Sequence, residues 1–264
     1  SLKNKNSLNL NDDVFFDNKK SLLASMDTYN EKIHFLNFKN PDLVIKKAIR
    51  SSISDIISKG ANPKYLLLSF SGPKKSFTKK NLKLMSNSIK KEQKKYGFFL
   101  IGGDTTSSLT TSFSICSLSY SKKIVKRNGY IVNDDIYLTG NIGDSSIGLS
   151  ILKNKIKVDH KSKKYFVDKY YSPNLPFGFH KFLNKFASSS MDVSDGLLLD
   201  LKKLVSYNKN GFIIDYNQLP TSSYFNKIFK QRKHLINKHL FKGDDYQILF
   251  CSNKKNRKII NKNA

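Results

Sequence analysis

Twice in its first half the chain runs an amphipathic stretch into a glycine and then into an apolar run. Residues 41–61, PDLVIKKAIRSSISDIISKGA, space Leu43, Val44, Ala48, Ile53, Ile56 and Ile57 at roughly helical period, with Gly60 as a natural stop. KYLLLSFSG follows and reads as a buried strand. Residues 79–97, KKNLKLMSNSIKKEQKKYG, repeat the helical pattern up to Gly97, and FFLIGG reads as a strand entering a glycine turn. Each helix has one apolar face to bury, and the strands beside it supply the surface. With SLLASMD (21–27) before them and the alternating LTTSFSICSLSY (109–120) after, the first half predicts strand, helix, strand, helix, strand, strand. That is an α/β (α+β) layer built on a split β-α-β pattern.

The second half reads differently. After the basic segment SKKIVKRNG, the stretch DDIYLTGNIGDSSIGLSIL predicts strand, Gly-rich loop and helix. PFGFHKFLNKFASSSMDVSDGLLLDLKKLVSYN predicts helix, strand, turn and helix; NGFIIDYNQLP and KGDDYQILFCS each predict a strand, the latter led by an acidic turn. Two domains are expected, residues 1–122 and 123–264. No run is long and apolar enough to span a membrane, and SLKNKNSLNLNDD lacks a signal-peptide core. Cys116 and Cys251 lie in strand-like surroundings and read as buried thiols of a cytoplasmic protein.

Charge decides less than it first suggests. A formal +27 points toward nucleic acid, yet only Arg50, Arg127, Arg232 and Arg257 are arginines. Arginine makes the bidentate contacts to phosphate and base edges, whereas the lysines here are spread along the chain among asparagines. A drifted background composition explains this better than a nucleic-acid surface. The rival reading, a basic nucleic-acid-binding protein without turnover, would show as salt-sensitive retention on DNA.

The scarce acids carry more information. Of 20 Asp+Glu, only Glu31 and Glu92 are glutamates. Asp12 and Asp13 precede VFF, Asp27 ends LLASMD, and Asp104 follows LIGG. Asp192 and Asp195 flank a strand-to-helix turn, Asp244 and Asp245 follow Gly243, and Asp55 interrupts the apolar side of a helix. Aspartates at strand ends hold short carboxylates near the backbone, which suits hard cations such as Mg²⁺ sharing oxygen ligands with phosphate. Each alone also serves as a turn former or N-cap, and Asp200 reads as a solvent-facing helix residue. In IGGDTTSS, two glycines and two threonines suit close approach to an anion, although neither dinucleotide nor P-loop spacing is present.

In order along the chain, NDDVFF, SMDTYNEKIHF, SISDIISKGANP, LIGGDTT, YLTGNIGDSSIGL, MDVSDGLLLDL and GDDYQILF resemble the motifs of thiamine-monophosphate kinases, over Asn11 to Phe250. The resemblance implies the two-domain fold of the aminoimidazole-ribonucleotide synthetase superfamily. Its first domain would pair with a second copy into an intersubunit β-barrel in a homodimer, and its second would cover the ATP cleft. It implies transfer from ATP to thiamine monophosphate with several Mg²⁺ ions. Asp13, Asp27, Asp55, Asp104, Asp192 and Asp195 match the family's metal ligands. Gly103, Asp104, Arg127 and Ser194 match ATP contacts, and His34 and Asp244 match substrate contacts. Asn11 departs from a usual Gly, Met26 from a usual Thr, and Asp244 from a usual Glu. The resemblance also implies a short N-terminal helix and a longer C-terminal stretch carrying an aromatic for thiamine, so the second domain is expected to be truncated here. A selenophosphate synthetase of the same superfamily would want a reactive Cys near the N-terminus, and none precedes Cys116.

Overall fold

The computed structural model describes residue 5 and residues 7–205, 210–230 and 236–263. Arg232 and residues 206–208, at the end of the last helix expected in PFGFHKFLNKFASSSMDVSDGLLLDLKKLVSYN, lie outside the described residues. The chain divides into two compact units, one of residues 1–57 and 61–124, the other of 58–60 and 125–264.

The first unit contains β1 (Phe15–Asp17), β2 (Leu22–Asn30), α1 (Pro41–Ser58), β3 (Tyr65–Gly72), α2 (Lys79–Tyr96), β4 (Phe99–Ser107) and β5 (Ser112–Tyr120). Its sheet has the order β1-β2-β5-β3-β4; β3 and β4 are parallel, the other neighbours antiparallel. α1 opens on Pro41 with Asp42 in its first turn, where a missing N–H and a negative charge both suit a helix start. The Thr78 side chain caps α2 by accepting from Asn81 N–H, and Gly97, at φ 73°, closes it in the left-handed conformation. Arg50 of α1 donates to Glu92 of α2 through Nε (2.8 Å) and Nη2 (3.1 Å), a buried fork that sets one helix against the other.

Strand parity gives this sheet two unlike faces. Leu23, Ser25 and Tyr29 of β2 and Phe113, Ile115, Ser117 and Ser119 of β5 are buried on the face that α1 covers. Ile53, Ile56 and Ile57 of α1 are fully buried, worth about 2 kcal/mol each. Met26, by contrast, is 70% exposed on the open face. Leu67 is also exposed there, and both faces of β4 are solvent-accessible. Cys116 pairs with Met26 on that open face, so it is only half-buried; Cys251 is buried as expected.

Two expected boundaries move. β2 continues past Asp27 to Asn30, because Tyr29 still packs inward and Asn30 still pairs with Ser112. LIGG does not turn: Gly102 and Gly103 lie inside β4, at φ 156° and 155°. A Cβ on Gly103 would sit 1.8 Å from the Leu68 carbonyl oxygen, so the second glycine is needed for β4 to reach β3 at all.

The second unit contains β6 (Asp135–Leu138), α3 (Asp144–Leu152), α4 (His160–Tyr171), α5 (His180–Phe186), β7 (Ala187–Asp192), α6 (Leu197–Val205), α7 (Ser223–Phe229), α8 (Ile236–Leu240), β8 (Ile248–Ser252) and α9 (Arg257–Asn263). An antiparallel sheet β6-β8-β7 packs with α3, α4 and α6 around Ile142, Ile147, Phe166, Val193, Leu204 and Leu249. The predicted strand in NGFIIDYNQLP does not form. Phe212 and Ile214 still pack on the core, but no strand pairs with the segment, and Ile213 is 97% exposed. An apolar run alone does not make a strand without a neighbour to hold its backbone.

Candidate active site

In the first unit three of the expected acids lie on the helix-covered side of the sheet. Two side-chain rungs join β2 to α1. Ser25 Oγ donates to Asp55 Oδ2 at 2.5 Å, and Ser52, one turn before Asp55, hydrogen-bonds Asp27, two residues after Ser25. Burial raises the Asp27 pKa to about 6; the Ser52 bond opposes this and the nearby charge of Asp13 adds to it. Asp27 Oδ2 is buried with no hydrogen-bond partner. A half-desolvated carboxylate with an unsatisfied oxygen is costly unless something positive meets it. Asp13 stands just before β1, its amide donating to Asp12 Oδ1 at 2.9 Å.

Asp104 lies elsewhere. It pairs in register with Ser69, which pairs with Ser114, and both belong to the open face. The neighbouring Ser71 and Thr106 hydroxyls meet at 2.7 Å on that side. Asp104 is exposed, and its Oδ1 accepts from Thr105 N–H at 2.7 Å. The structure therefore places Asp104 on the opposite side of the sheet from Asp27 and Asp55. His34 sits in the turn after β2, exposed, with Nδ1 accepting from Asn30 N–H at 3.0 Å and its ring edge-on to Tyr29.

The second unit gathers the later motifs by backbone rather than by side chains. Asp192 is buried at the end of β7. Beyond it, Val193 N–H donates to Gln247 O (2.8 Å), Tyr246 N–H to Val193 O (2.9 Å) and Asp244 N–H to Ser194 O (2.9 Å). The MDVSDG and GDDYQ motifs thus form one ladder, with Ser194 and Asp244 directly joined. A Cβ on Gly243 would lie 1.9 Å from Ser194 O, and one on Gly196 would lie 2.1 Å from Phe241 O. Asp244 has φ 73°, and its Oδ1 accepts from the Tyr246 hydroxyl at 2.9 Å. Arg127, half-buried, belongs to a turn docked on β7, where Ser190 N–H donates to Lys126 O at 3.1 Å.

Sequence reasoning passed over Ser25 and Ser52, gave Asp245 no separate role, and misplaced Asp200. Ser25 and Ser52 were detectable as hydroxyls at strand and helix spacing from Asp27 and Asp55. Asp245 is buried; its Oδ2 accepts from Gly143 N–H at 2.7 Å and its Oδ1 from Ser145 N–H at 3.3 Å, tying the Gly-rich loop at the start of α3. In that loop a Cβ on Gly140 would meet the Gln247 side chain at 2.4 Å, so its glycine is explained by packing. Asp200, expected on the helix surface, is fully buried, because its carboxylate accepts backbone N–H groups of the turn before α6.

Comparison with known proteins accounts for this arrangement. The family model "AIR synthase related protein, N-terminal domain" matches residues 11–119. A thiamine-monophosphate kinase of Buchnera aphidicola subsp. Schizaphis graminum is 35% identical over 252 residues, covering 92% of this chain and 75% of that one. The chain belongs to the thiamine-monophosphate kinase family. A second relative in that family, from Buchnera aphidicola subsp. Acyrthosiphon pisum, is 34% identical over 241 residues, covering 90% of this chain and 74% of its own. The solved structure of AaThiL complexed with AMPPCP and TMP aligns with a TM-score of 0.86 at 29% identity, over 93% of this chain and 80% of that one. The two-unit α/β fold is therefore that of the family and of the wider aminoimidazole-ribonucleotide synthetase-like group.

The donor set fits Mg²⁺. The expected ligands are all carboxylates, and Asp27 Oδ2 is a buried oxygen with no protein donor. Among the described residues no three His, Cys, Asp or Glu side chains form a group that could hold a metal ion. A cation at Asp27 would be held by one or two of these carboxylates.

Proposed function

We propose that the chain transfers the terminal phosphoryl group of ATP to thiamine monophosphate, giving ADP and thiamine diphosphate. What carries this reading is the family relationship together with the solved relative described as holding AMPPCP and TMP. An oxygen of the acceptor phosphate forms the new P–O bond as the bond from the γ-phosphorus to the β,γ-bridging oxygen breaks. The acceptor oxygen is already ionised at neutral pH, so no side chain has to remove a proton, and no general base is assigned.

Asp13, Asp27, Asp55, Asp104, Asp192 and Asp195 would hold Mg²⁺. When bound, the ions neutralise charge that otherwise keeps two phosphates apart. Ser25 and Ser52 fix the Asp55 and Asp27 carboxylates, leaving Asp27 Oδ2 to face a cation. Gly103, Asp104, Arg127 and Ser194 serve ATP; Arg127 supplies a planar cation for phosphate oxygens. His34 and Asp244 serve the thiamine substrate. The joined backbones of Ser194 and Asp244 keep a nucleotide-side and a substrate-side residue at fixed spacing. The reaction belongs in the cytoplasm, where ATP and Mg²⁺ are abundant and free thiols persist.

The open face of the first sheet supports a homodimer. Met26, Leu67, Phe99 and Ile101 expose a large apolar area there and along β4, more than single scattered side chains account for. A second copy closed over that face would include Asp104 in the interface, so its metal role and dimerisation are linked. Sedimentation at micromolar concentration should give a dimer; monomer alone would remove this part of the reading.

The decisive assay incubates the protein with ATP, Mg²⁺ and thiamine monophosphate and follows thiamine diphosphate by chromatography. Mg²⁺-dependent product supports the reading. ATP turnover without thiamine diphosphate would redirect it to another reaction of the superfamily.

A further inference from the structure

α6 opens as LLLDLKKLV, with Asp200 in its first turn and Lys203 one turn later. The Asp200 carboxylate has no exposure and carries an unusual load. Its Oδ2 accepts from Asp195 N–H at 3.1 Å and from Gly196 N–H at 3.0 Å, while the Asp200 amide donates back to Gly196 O at 3.0 Å. Its Oδ1 accepts from Lys203 Nζ at 2.9 Å. The same ammonium donates to Asp195 Oδ2 at 2.5 Å. Asp195 remains 60% exposed and Lys203 38%.

The two halves of this unit do different things. Capping the turn needs only Asp200 and the two amides. The reach from Lys203 to Asp195 joins two partly exposed groups and adds little to folding. It does place a positive charge on an oxygen of a carboxylate that the proposed function gives to a metal ion. A divalent cation approaching Asp195 then meets a like charge a few ångströms away.

We infer that Asp200 and Lys203 are positioning residues for Asp195: Asp200 fixes the turn through its backbone, and Lys203 is a built-in counter-cation that competes with the metal for the Asp195 carboxylate. Asp200 is the partner that keeps the ammonium when a metal takes Asp195. The inference rests on the assignment of Asp195 as a ligand and goes beyond it by naming what sets that ligand's affinity.

The test is a Mn²⁺ titration in the presence of AMPPCP, with free ion read by electron paramagnetic resonance. Lys203→Met should tighten one Mn²⁺ site by ~3- to 10-fold through loss of the competing charge. Lys203→Arg, which keeps a cation in place, should hold the wild-type value. Unchanged or weaker Mn²⁺ binding by Lys203→Met would overturn the inference. Asp195→Asn separates the two levels. If it loses a Mn²⁺ site while Lys203→Met tightens nothing, the counter-cation role fails and the ligand assignment stands. If Asp195→Asn leaves Mn²⁺ binding untouched, the ligand assignment fails and the inference with it. Asp200→Asn should weaken the same site, and adding Lys203→Met should recover at least part of that loss. No recovery would reduce Asp200 to a folding role; should Asp200→Asn not fold, the Lys203 variants decide alone.

Discussion

The two units hold their functional acids by opposite means. In the first, carboxylates are set by hydroxyls: Ser25 on Asp55 and Ser52 on Asp27, between a strand and the helix packed on it. In the second, the backbone holds the motifs, through the ladder between residues 193–194 and 244–247 and glycines that let the two chains touch. A side-chain scaffold tolerates backbone adjustment and depends on charge. A backbone scaffold depends on the absence of a Cβ and tolerates side-chain change except where a buried carboxylate, Asp200 or Asp245, ties a turn to it. The same ligand type thus has different points of failure in the two units.

The largest effects should come from removing charge without removing volume. Asp27→Asn and Asp192→Asn should each lower kcat by about 10²–10³-fold while the protein stays folded, because a metal position loses its anionic ligand. Half the wild-type rate at saturating Mg²⁺ in either variant would end the metal assignment for that residue. Gly243→Ala should break the other scaffold. Its Cβ meets the Ser194 carbonyl at 1.9 Å, so the ladder must open, at a cost of about 2–4 kcal/mol. Gly211→Ala, which meets nothing within 4 Å, is the control and should stay within about 0.5 kcal/mol in denaturant unfolding. If the two glycine variants unfold alike, the second unit is not held by its backbone ladder.

The units should also respond to acid with opposite signs. His180 in the second unit is buried against Phe177, and burial lowers its pKa from 6.5 to about 4. The unfolded chain takes up that proton first, so the stabilisation is complete above pH 6.5 and is lost as pH falls toward 4. Asp27 is the reverse. Its folded pKa of about 6 lies above the ordinary 3.8, so its contribution is complete below about pH 4 and is lost as pH rises past 6. Each is worth about 3 kcal/mol by linkage. Urea unfolding between pH 4 and 7 in EDTA should show Asp27→Asn becoming more acid-labile than wild type and His180→Asn less so. Parallel curves for all three proteins would mean that neither group titrates with folding.

Much of this was legible in the sequence. Helical period and glycine stops located α1 and α2, and scarce aspartates in a lysine-rich chain marked MDVSDG and GDDYQ. Which face an acid occupies was not legible. Asp27 and Asp104 read alike, as acids following apolar runs. Only strand register, with the irregular pairing between Leu66 and Leu67, sends Asp104 to the open side. Asp200 looked wet because helical spacing alone cannot reveal that two amides of the preceding turn need an acceptor. The 211–215 segment is apolar enough for a strand, yet a strand exists only where another strand receives its hydrogen bonds.

The smallest expected effect sharpens the comparison inside the first unit, where His34 and Asp27 lie on one strand-turn unit but should fail differently. Asp27 belongs to the rungs under α1; His34 is exposed in the turn, with Nδ1 committed to Asn30 N–H and the ring edge on Tyr29. The turn holds the ring at the surface beside Tyr29, where a substrate can meet it. His34→Ala should therefore raise KM for thiamine monophosphate about tenfold, near 1.4 kcal/mol of ground-state binding, with KM for ATP and kcat nearly unchanged. Asp27→Asn should lower kcat instead. If the Nδ1 bond to Asn30 were the whole role of His34, His34→Asn would restore the turn and the wild-type KM. Steady-state kinetics with each substrate varied in turn separate the cases: full rescue by Asn, or equal damage to both KM values by Ala, assigns His34 to the loop and leaves thiamine recognition to Asp244 and its neighbours.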